Sequence, residues 1–386
     1  VLETIIHFVL AVVAGCSALI AFLNTRFLNR TSPYFSMNGD IDGVTVSILI
    51  PARNEENRIS ECLESLISQC NNVIEIIVLD DRSVDSTSEI VMGFSELDSR
   101  VKLMAGEELP SGWIGKHWAC HQLSLVARGK YLLFIDADTV LGKDAVLLAL
   151  KKSVHGDCDL LTFIPRRIAK CLAEKLMFPF IDWAIFCWLP MKVAHRTKNP
   201  YLSATYGQFM LFKKLSYERI GGHSKIKDNA VDDMELGRMV KSEGLVWNLL
   251  DSQGLVTSLP YESNSDALKG ISRSVFPALN YHVSFLVAFS MLLLGIAYIP
   301  IYGIVNEVVS DGWSMRIFLV SLFSCSMTVI SWTFVCVRFR HSRYLVIMFP
   351  IAISLIVLVA YHSMFANAMK FQSWKNRGVE GRRVRF

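Results

Sequence analysis

The sequence predicts an α/β domain built on a mostly parallel sheet, set between apolar segments long enough to cross a membrane. Three observations predict it. Between residues 44 and 256, β-prone runs alternate with helical patterns, and that alternation builds parallel sheets. Apolar residues make up 52% of the 386 and crowd the two ends of the chain. Early strands run directly into acidic residues, at the carboxyl ends where open parallel sheets bind ligands.

Taken in order, residues 5–22 contain no Asp, Glu, Lys or Arg, and Arg26 and Arg30 come after them. Basic residues after the run, with none before it, fit an uncleaved anchor over residues 1–25 and place the α/β part in the cytoplasm. Residues 44–50 form a β-rich run ended by Pro51. Ile59, Cys62, Leu63, Leu66 and Ile67 then recur at helical spacing. Residues 73–79 read as a second strand ending at Asp80-Asp81. Ser83 and Ser86-Thr87-Ser88 are expected to cap the next helix, which runs to about Phe94. Residues 101–104 are a short third strand, 117–127 a helix, and 131–135 the strand that leads into Asp136-Ala137-Asp138.

Between residues 164 and 206, cations (Arg166, Arg167, Lys170, Lys175, Lys192, Arg196, Lys198) mix with Phe178, Phe180, Trp183, Phe186 and Trp188. This stretch reads either as an amphipathic helix packed on the sheet or as a membrane-interface and acceptor segment with snorkelling cations. The α/β domain is expected to close near residue 262. Residues 263–386 then form a membrane region with apolar runs at 283–305, 317–337 and 345–369, each at or above the roughly 20 residues a crossing needs.

Glu307 and Asp311 share one short loop, whereas Arg338, Arg340, His341 and Arg343 share the next, which places the second loop inside. Three full crossings would strand the basic tail (Lys375, Arg377, Arg382, Arg383, Arg385) outside. Either one run is an incomplete, interfacial or re-entrant span, which is the expectation, or the tail breaks the charge rule.

The net charge of +4 gives no nucleic-acid signature. Nine scattered cysteines without a C-x-x-C pair argue against a disulfide framework and a structural zinc site, and fit a reduced compartment. Asp136 and Asp138, two apart at a strand end, share a face and can both reach a hard cation that also holds phosphate oxygens. The same D-x-D spacing is common in turns, where Asp bonds the backbone.

Four clusters resemble, in order, the inverting family 2 glycosyltransferases, whose GT-A fold is Rossmann-like. Ser47-Ile48-Leu49-Ile50-Pro51-Ala52-Arg53-Asn54-Glu55-Glu56 looks like their opening strand and P-x-x-N-E loop. Asp80-Asp81-Arg82-Ser83-Val84-Asp85-Ser86-Thr87 looks like their D-D-x-S-x-D-x-T loop. Gly115-Lys116-His117-Trp118-Ala119, then Ala127-Arg128-Gly129 leading into Asp136-Ala137-Asp138, resembles their G-K and D-A-D run. Asp232-Asp233-Met234-Glu235-Leu236 resembles their E-D-x-D-L helix start. Pro110-Ser111-Gly112-Trp113-Ile114-Gly115-Lys116 and Gly270-Ile271-Ser272-Arg273-Ser274-Val275-Phe276-Pro277 are similar to stretches of the carotenoid- and hopanoid-associated members. Those members end in W-K-G-R, and Trp374-Lys375-Asn376-Arg377 departs from it.

The resemblance implies a membrane-anchored, metal-dependent enzyme that moves one hexose, glucose first among them, from a nucleotide-diphosphate sugar to a lipid such as a carotenoid. A UDP-sugar is the expected donor, Mg2+ or Mn2+ the expected cofactor, and the cytoplasmic face of the inner or plasma membrane the expected place. Pro51, Ala52, Arg53, Glu55, Asp81, Gly115, Lys116, Asp136 and Ala137 are expected to bind the sugar nucleotide. Asp138 and Asp136 are expected to hold the metal, and Gly207 and Gln208 to lie in the acceptor pocket.

Direct displacement needs a base, and adjacent carboxylates suit one because repulsion raises one pKa. The motif points to Asp233 rather than Asp232. The family's Glu at the first position is Asp here, which leaves that choice open. The Q-x-x-R-W motif of processive synthases is absent after Asp233, which argues for transfer of a single sugar. Alternatives within the class are a polyprenyl-phosphate sugar synthase and a ceramide glucosyltransferase-like enzyme. A catalytically silent sugar-nucleotide-binding subunit would be expected to show a broken D-x-D or a missing base.

Overall fold

The computed structural model describes residues 2–32, 41–309, 314–369, 373–374, 377–378 and 384–385. Asp311 of the acidic loop and Lys375, Asn376, Arg382 and Arg383 of the tail lie outside the described residues.

The chain opens with α1 (Leu2–Arg30), and the α/β part begins at β1 (Val46–Ala52). Pro51 does not end this strand, which continues one residue further to Ala52. Pairing of β1 with β4 stops at Leu49, so the missing N–H of Pro51 costs no ladder bond on that side. α2 (Ile59–Ile67) buries Ile59, Cys62, Leu63 and Leu66 of the stripe its spacing predicts, and leaves Ile67 half-buried. β2 (Val73–Asp80) leads to α3 (Thr87–Leu97).

The serines do not cap α3. Asp85 Oδ1 accepts the Thr87 N–H at 3.1 Å, and the Ser83 and Ser88 hydroxyls donate to Asp80 instead. Carboxylates are the stronger acceptors, so they take the bonds that hydroxyls were expected to make.

Next come β3 (Val101–Ala105), α4 (Gly115–Val126), β4 (Tyr131–Phe134), β5 (Thr139–Leu141), α5 (Ala145–His155), β6 (Leu160–Ile164) and β7 (Arg166–Arg167). After α6 (Leu172–Trp188) and α7 (Met191–Arg196) come β8 (Met210–Lys213), α8 (Lys214–Arg219), α9 (Asp232–Ser242), β9 (Trp247–Asp251) and β10 (Val256–Ser258). The main sheet has seven strands in the order β3-β2-β1-β4-β8-β6-β9. All its pairings are parallel except those of β8, which runs antiparallel to β4 and β6. The carboxyl ends of β1, β2 and β4, three neighbours, therefore present Glu55, Asp81 and Asp136–Asp138 on one edge.

α10 (Asn264–Ala278), α11 (Val283–Val309), α12 (Met315–Arg338) and α13 (Leu345–Ala368) complete the fold. α1, α11, α12 and α13 are each long and apolar enough to cross a membrane. α1 and α12 run in the same direction. His7 and Ser321 bond at 2.8 Å near one end, Phe22 meets Phe334, and Asn29 accepts from Arg338 at the other.

α6 bridges the two parts. Trp183 stacks on Trp332 and donates to Ser331 at 2.8 Å, while Trp188 donates to Ser17 at 3.0 Å. The Asn24 amide donates to the carbonyls of Phe186 and Leu189 and accepts from Met191 N. Not every cation of this stretch snorkels: Arg167 is ion-paired with buried Asp182. Asp182 also takes His341 Nε2 at 2.8 Å, and Arg338 meets Asp251 at 2.6 Å. The end of α12 and the loop after it thus sit on the α/β domain, and one basic group from each is spent on a buried carboxylate.

Candidate active site

The loops after β1 and β2 are tied to each other. Asn54 N donates to Ser83 Oγ at 2.9 Å, Asn54 Oδ1 accepts from Val84 N at 3.0 Å, and Glu55 N donates to Thr87 Oγ1 at 2.8 Å. The Arg53 guanidinium donates to the carbonyls of Asp81 and Arg82. Arg53 therefore fixes the loop that carries Asp81, and Glu55 and Asp81 follow the ends of the neighbouring strands β1 and β2.

Gly129, of the A-x-G motif, lets the chain enter β4. A Cβ there would lie 2.5 Å from Ser47 N. β4 then delivers Asp136 and Asp138. Lys116, in the first turn of α4, reaches across and pairs with Asp136 Oδ1 at 2.7 Å and with Asp232 Oδ2 at 3.5 Å. Burial works against its charge, but Asp136 and Asp232 hold the Lys116 ammonium well above the usual lysine range.

The two carboxylates at the start of α9 are chemically different. Asp232 is buried, and Lys116, His117 Nε2 (3.9 Å) and His223 Nε2 (3.8 Å) converge on its Oδ2, which makes no hydrogen bond. Burial opposes its ionisation, yet this nitrogen cage keeps Asp232 well below the carboxylate range. Burial lowers His117 to about 4 and also lowers His223. The Tyr217 hydroxyl fixes His223 through Nδ1 at 2.7 Å.

Asp233 is pushed up to about 7 by burial and by the charge of Asp232, against Lys116 and two backbone donors. Those donors are Gly207 N at 3.1 Å and Met234 N at 2.7 Å. Gly207 is where the groups meet. A Cβ on it would lie 3.4 Å from Lys116 Nζ, 3.6 Å from Asp136 Oδ2 and 3.7 Å from Asp233 Oδ2. Gln208, beside it, is half-buried.

Asp138 differs from Asp136 in making no ion pair among the described residues. Its Oδ1 is buried without a hydrogen-bond partner. Burial, then Asp136 and Glu55, push its carboxyl up to about 7. A divalent cation would relieve all three effects, so the residues present fit one. Among the described residues no three His, Cys, Asp or Glu side chains gather into a metal cage. The chain offers two carboxylates, and the remaining ligands would have to come from phosphate oxygens and water.

The structure thus brings Lys116, Asp136, Asp232, Asp233 and Gly207 together, with Asp138 next to them and Glu55 and Asp81 further along the same edge. Pro51 and Ala52 are the buried end of β1, Gly115 the buried start of α4, and Ala137 is buried between the two aspartates. Sequence reasoning missed the histidine cage. His117 lies directly after the G-K pair but its spacing carries no ligand pattern, and His223 arrives from a distant turn.

The sheet order with one antiparallel strand, and acidic residues along one carboxyl edge, define a GT-A-like fold. A mannosyltransferase of Pyrobaculum calidifontis, solved in complex with GDP-Man and Mn2+, shares that fold over 95% of this chain and 98% of its own, with a TM-score of 0.53 and 15% identity. Residues 47–221 match the family described as Glycosyl transferase family 2.

Similar curated proteins are the 4,4'-diaponeurosporenoate glycosyltransferases of Staphylococcus haemolyticus and Staphylococcus aureus. The first is 28% identical over 57% of this chain and 57% of its own length. The second is 26% identical over 69% of this chain and 68% of its own. The match therefore spans little more than half the length of the first.

Proposed function

We propose that the protein is a membrane-anchored inverting glycosyltransferase. It moves one hexose, glucose first among them, from a nucleotide-diphosphate sugar, UDP-glucose first, to a hydroxyl or carboxyl group of a carotenoid or related isoprenoid. The observation that carries this reading is the meeting of Lys116, Asp136 and Asp233 around Gly207: a cation for a diphosphate beside a carboxylate poised near neutral pH. The carotenoid-type acceptor is supported by the names of the relatives and by the apolar helices packed against α6 and α10 of the same chain.

In this reading residues 1–25 anchor the chain, 40–262 form the catalytic domain and 263–386 the membrane region. The domain faces the cytoplasm, because the basic loop after α12 lies on its side. Glu55 and Asp81 accept hydrogen bonds from the nucleoside, and the backbone of Pro51, Ala52 and Arg53 shapes that pocket. Lys116 gives its charge to the diphosphate, with Gly115 allowing the phosphates to approach the start of α4.

Asp138, with Asp136, holds Mg2+ or Mn2+, which when bound neutralises charge developing on the departing diphosphate. Asp233 takes the proton of an acceptor hydroxyl, and Asp232 stays ionised to keep the pKa of Asp233 raised. Gly207 and Gln208 form the wall against which the acceptor rests.

The test uses the full chain in proteoliposomes with labelled UDP-glucose and a carotenoid acid or alcohol, and tracks label into extracted lipid. In parallel, nucleotide-stimulated Mn2+ binding is read by electron paramagnetic resonance. Labelled lipid that forms in the parent and disappears in Asp138→Ala, together with its Mn2+ binding, supports the reading. Unchanged Mn2+ binding in Asp138→Ala refutes the metal assignment, and label that never enters lipid refutes the acceptor class.

A further inference from the structure

The four apolar helices do not play one role. A helix of 24 residues is about 36 Å long, enough to cross a bilayer. If α13 crossed from Leu345, a residue 18 positions on would lie about 27 Å away, near the far ends of α11 and α12. The contacts are elsewhere.

At its start, Leu345 packs with Cys336 in the last turn of α12 and with Leu176 of α6. At its other end, Ala360 packs with Leu286 in the first turn of α11, and with Phe276 and Tyr281 just before it. Phe276 N donates to Ser363 Oγ at 3.2 Å, the Ser363 hydroxyl donates to the Ser272 carbonyl, and Ser272 Oγ bonds His362 Nδ1 at 3.0 Å. Between these ends, Phe349 lies against Trp332 and the Tyr298 hydroxyl meets Ser354 at 2.8 Å. Both ends of α13 thus touch the domain-side ends of the crossing helices. Its middle reaches only partway down them.

The tail gives an independent observation. Val283 N donates to the Arg385 carbonyl and Arg385 N to the Tyr281 carbonyl, both at 2.8 Å. The chain after α13 is therefore back beside the first residue of α11, on the domain side. Too few residues separate Ala368 from Arg385 for another crossing to have carried the chain there.

α13 is also unlike a helix floating at the headgroups, which would be polar on one face. Ile347, Ile351, Leu358 and Phe365, spaced by 4, 7 and 7, form an exposed apolar stripe. On the opposite face, Phe349, Ala352, Ile353 and Ile356 are buried in one core with Trp183 and Phe186 of α6 and Ile271 of α10. α6 and α10 cover that face of α13, and the stripe is left for hydrocarbon.

We infer that α13 does not cross the membrane but lies sunk in the domain-side leaflet beneath α6 and α10, its stripe of Ile347, Ile351, Leu358 and Phe365 against the acyl chains of that leaflet. The chain then crosses three times, through α1, α11 and α12. The end of α11 and the start of α12 are on the far side, and Arg385 shares a side with the α/β domain. This topology holds whatever reaction the site performs, and it removes the conflict between a third apolar run and a basic tail.

The experiment uses the full chain with a short split-fluorescent-protein strand at the carboxyl end, and separately within residues 310–313. The complementing fragment is expressed on one side of the membrane or the other. Fluorescence of the carboxyl-end tag with the fragment on the domain side, and of the 310–313 tag with the fragment on the opposite side, is the expected result. A carboxyl-end tag that lights only from the opposite side overturns the proposal.

A second measurement needs no fusion. Nitroxide labels at Ile347→Cys and Phe365→Cys, in an active variant without native cysteines, report depth from oxygen and nickel-chelate collisions. Both labels in the domain-side leaflet support the in-plane helix, and labels in opposite leaflets refute it.

Discussion

Asp233→Asn separates the two acceptor groups the proposed reaction allows, because only one of them needs a base. An alcohol holds its proton about as tightly as water, with a pKa of about 15.7, whereas a carboxylic acid is ionised above about pH 4. Asn keeps the shape of Asp233 and one acceptor oxygen for Met234 N, now at 2.7 Å. It turns an amide N–H2 toward Gly207 N, which costs about 1–3 kcal/mol.

Against that cost stands the removal of an ill-placed charge. Asp233 is raised from 3.8 to about 7, and at 1.36 kcal/mol per unit its ionised form costs the fold on the order of 4 kcal/mol. For a carboxyl with a raised folded pKa, that stability is fully present below about pH 4 and lost as pH rises through about 7. At pH 8 the variant should therefore unfold at the parent's temperature or a little above it. The loss of general base catalysis is about 10²–10⁴-fold, and it should appear with a carotenoid alcohol only. With a carotenoid acid, turnover should change less than about tenfold.

The parent's rate on the alcohol should also fall as pH drops below about 7, where Asp233 takes its proton. Initial rates of label transfer, with thermal unfolding of the same preparations, decide it. Equal losses on both acceptors, or none on the alcohol, would refute the role given to Asp233.

The ion pairs give two further outcomes. Lys116→Met removes the cation 2.7 Å from Asp136 and 3.5 Å from Asp232. Loss of a charged hydrogen bond worth about 1.5–3 kcal/mol predicts roughly 10- to 100-fold weaker binding of the sugar nucleotide, read by calorimetric titration. Arg338→Met leaves Asp251 buried without its cation and should lower stability by about 3–5 kcal/mol in a thermal-unfolding measurement, with Asp251→Leu added to it restoring most of the loss.

How far the sequence reaches depends on whether the physics is local. The strands up to β4 show in runs of β-branched and aliphatic residues, and their acidic ends come directly after, so Glu55, Asp81, Asp136 and Asp138 are readable as one edge. Helix starts are less so. Ser86 has the residue type of an N-cap, but Asp85 beside it is the better acceptor, and sequence gives no way to rank neighbours competing for one N–H.

Asp232 and Asp233 are the same residue side by side, and the motif alone leaves their roles open. Lys116, with His117 and His223 brought in from α4 and from the turn before α9, holds Asp232 ionised, and burial together with the repulsion of that charge raises Asp233. Only tertiary structure carries that distinction. The apolar runs are located to within a few residues, but what a run of 24 apolar residues does is not written in its length. α13 has the hydropathy of a crossing helix, and its partners at both ends make it something else.

The charge count that orients the chain rests on residues with a second task. Arg338 and His341 count as basic residues of an inside loop, and both prove to be paired with buried carboxylates, Asp251 at the end of β9 and Asp182 in α6. Asp182 also takes Arg167, whose guanidinium lies 5.3 Å over the Tyr206 ring. The residue after Tyr206 is Gly207, the donor to Asp233.

A continuous set of contacts therefore runs from the membrane loop to the proposed base, and the α/β part is not a domain merely tethered to an anchor. A fragment of residues 40–262 would lose His341 and Arg338, leave Asp251 unpaired, and expose the faces of Trp183 and Phe186 that meet α12 and the loop after it. Such a fragment should be insoluble or unfolded, whereas replacing Asp251 and Trp183 by polar residues should not rescue it, because the Asn24 clamp on α6 is also gone. A soluble, cooperatively unfolding fragment that binds sugar nucleotide as tightly as the full chain would show that the membrane helices only anchor. Sedimentation and circular dichroism of the fragment distinguish the two outcomes.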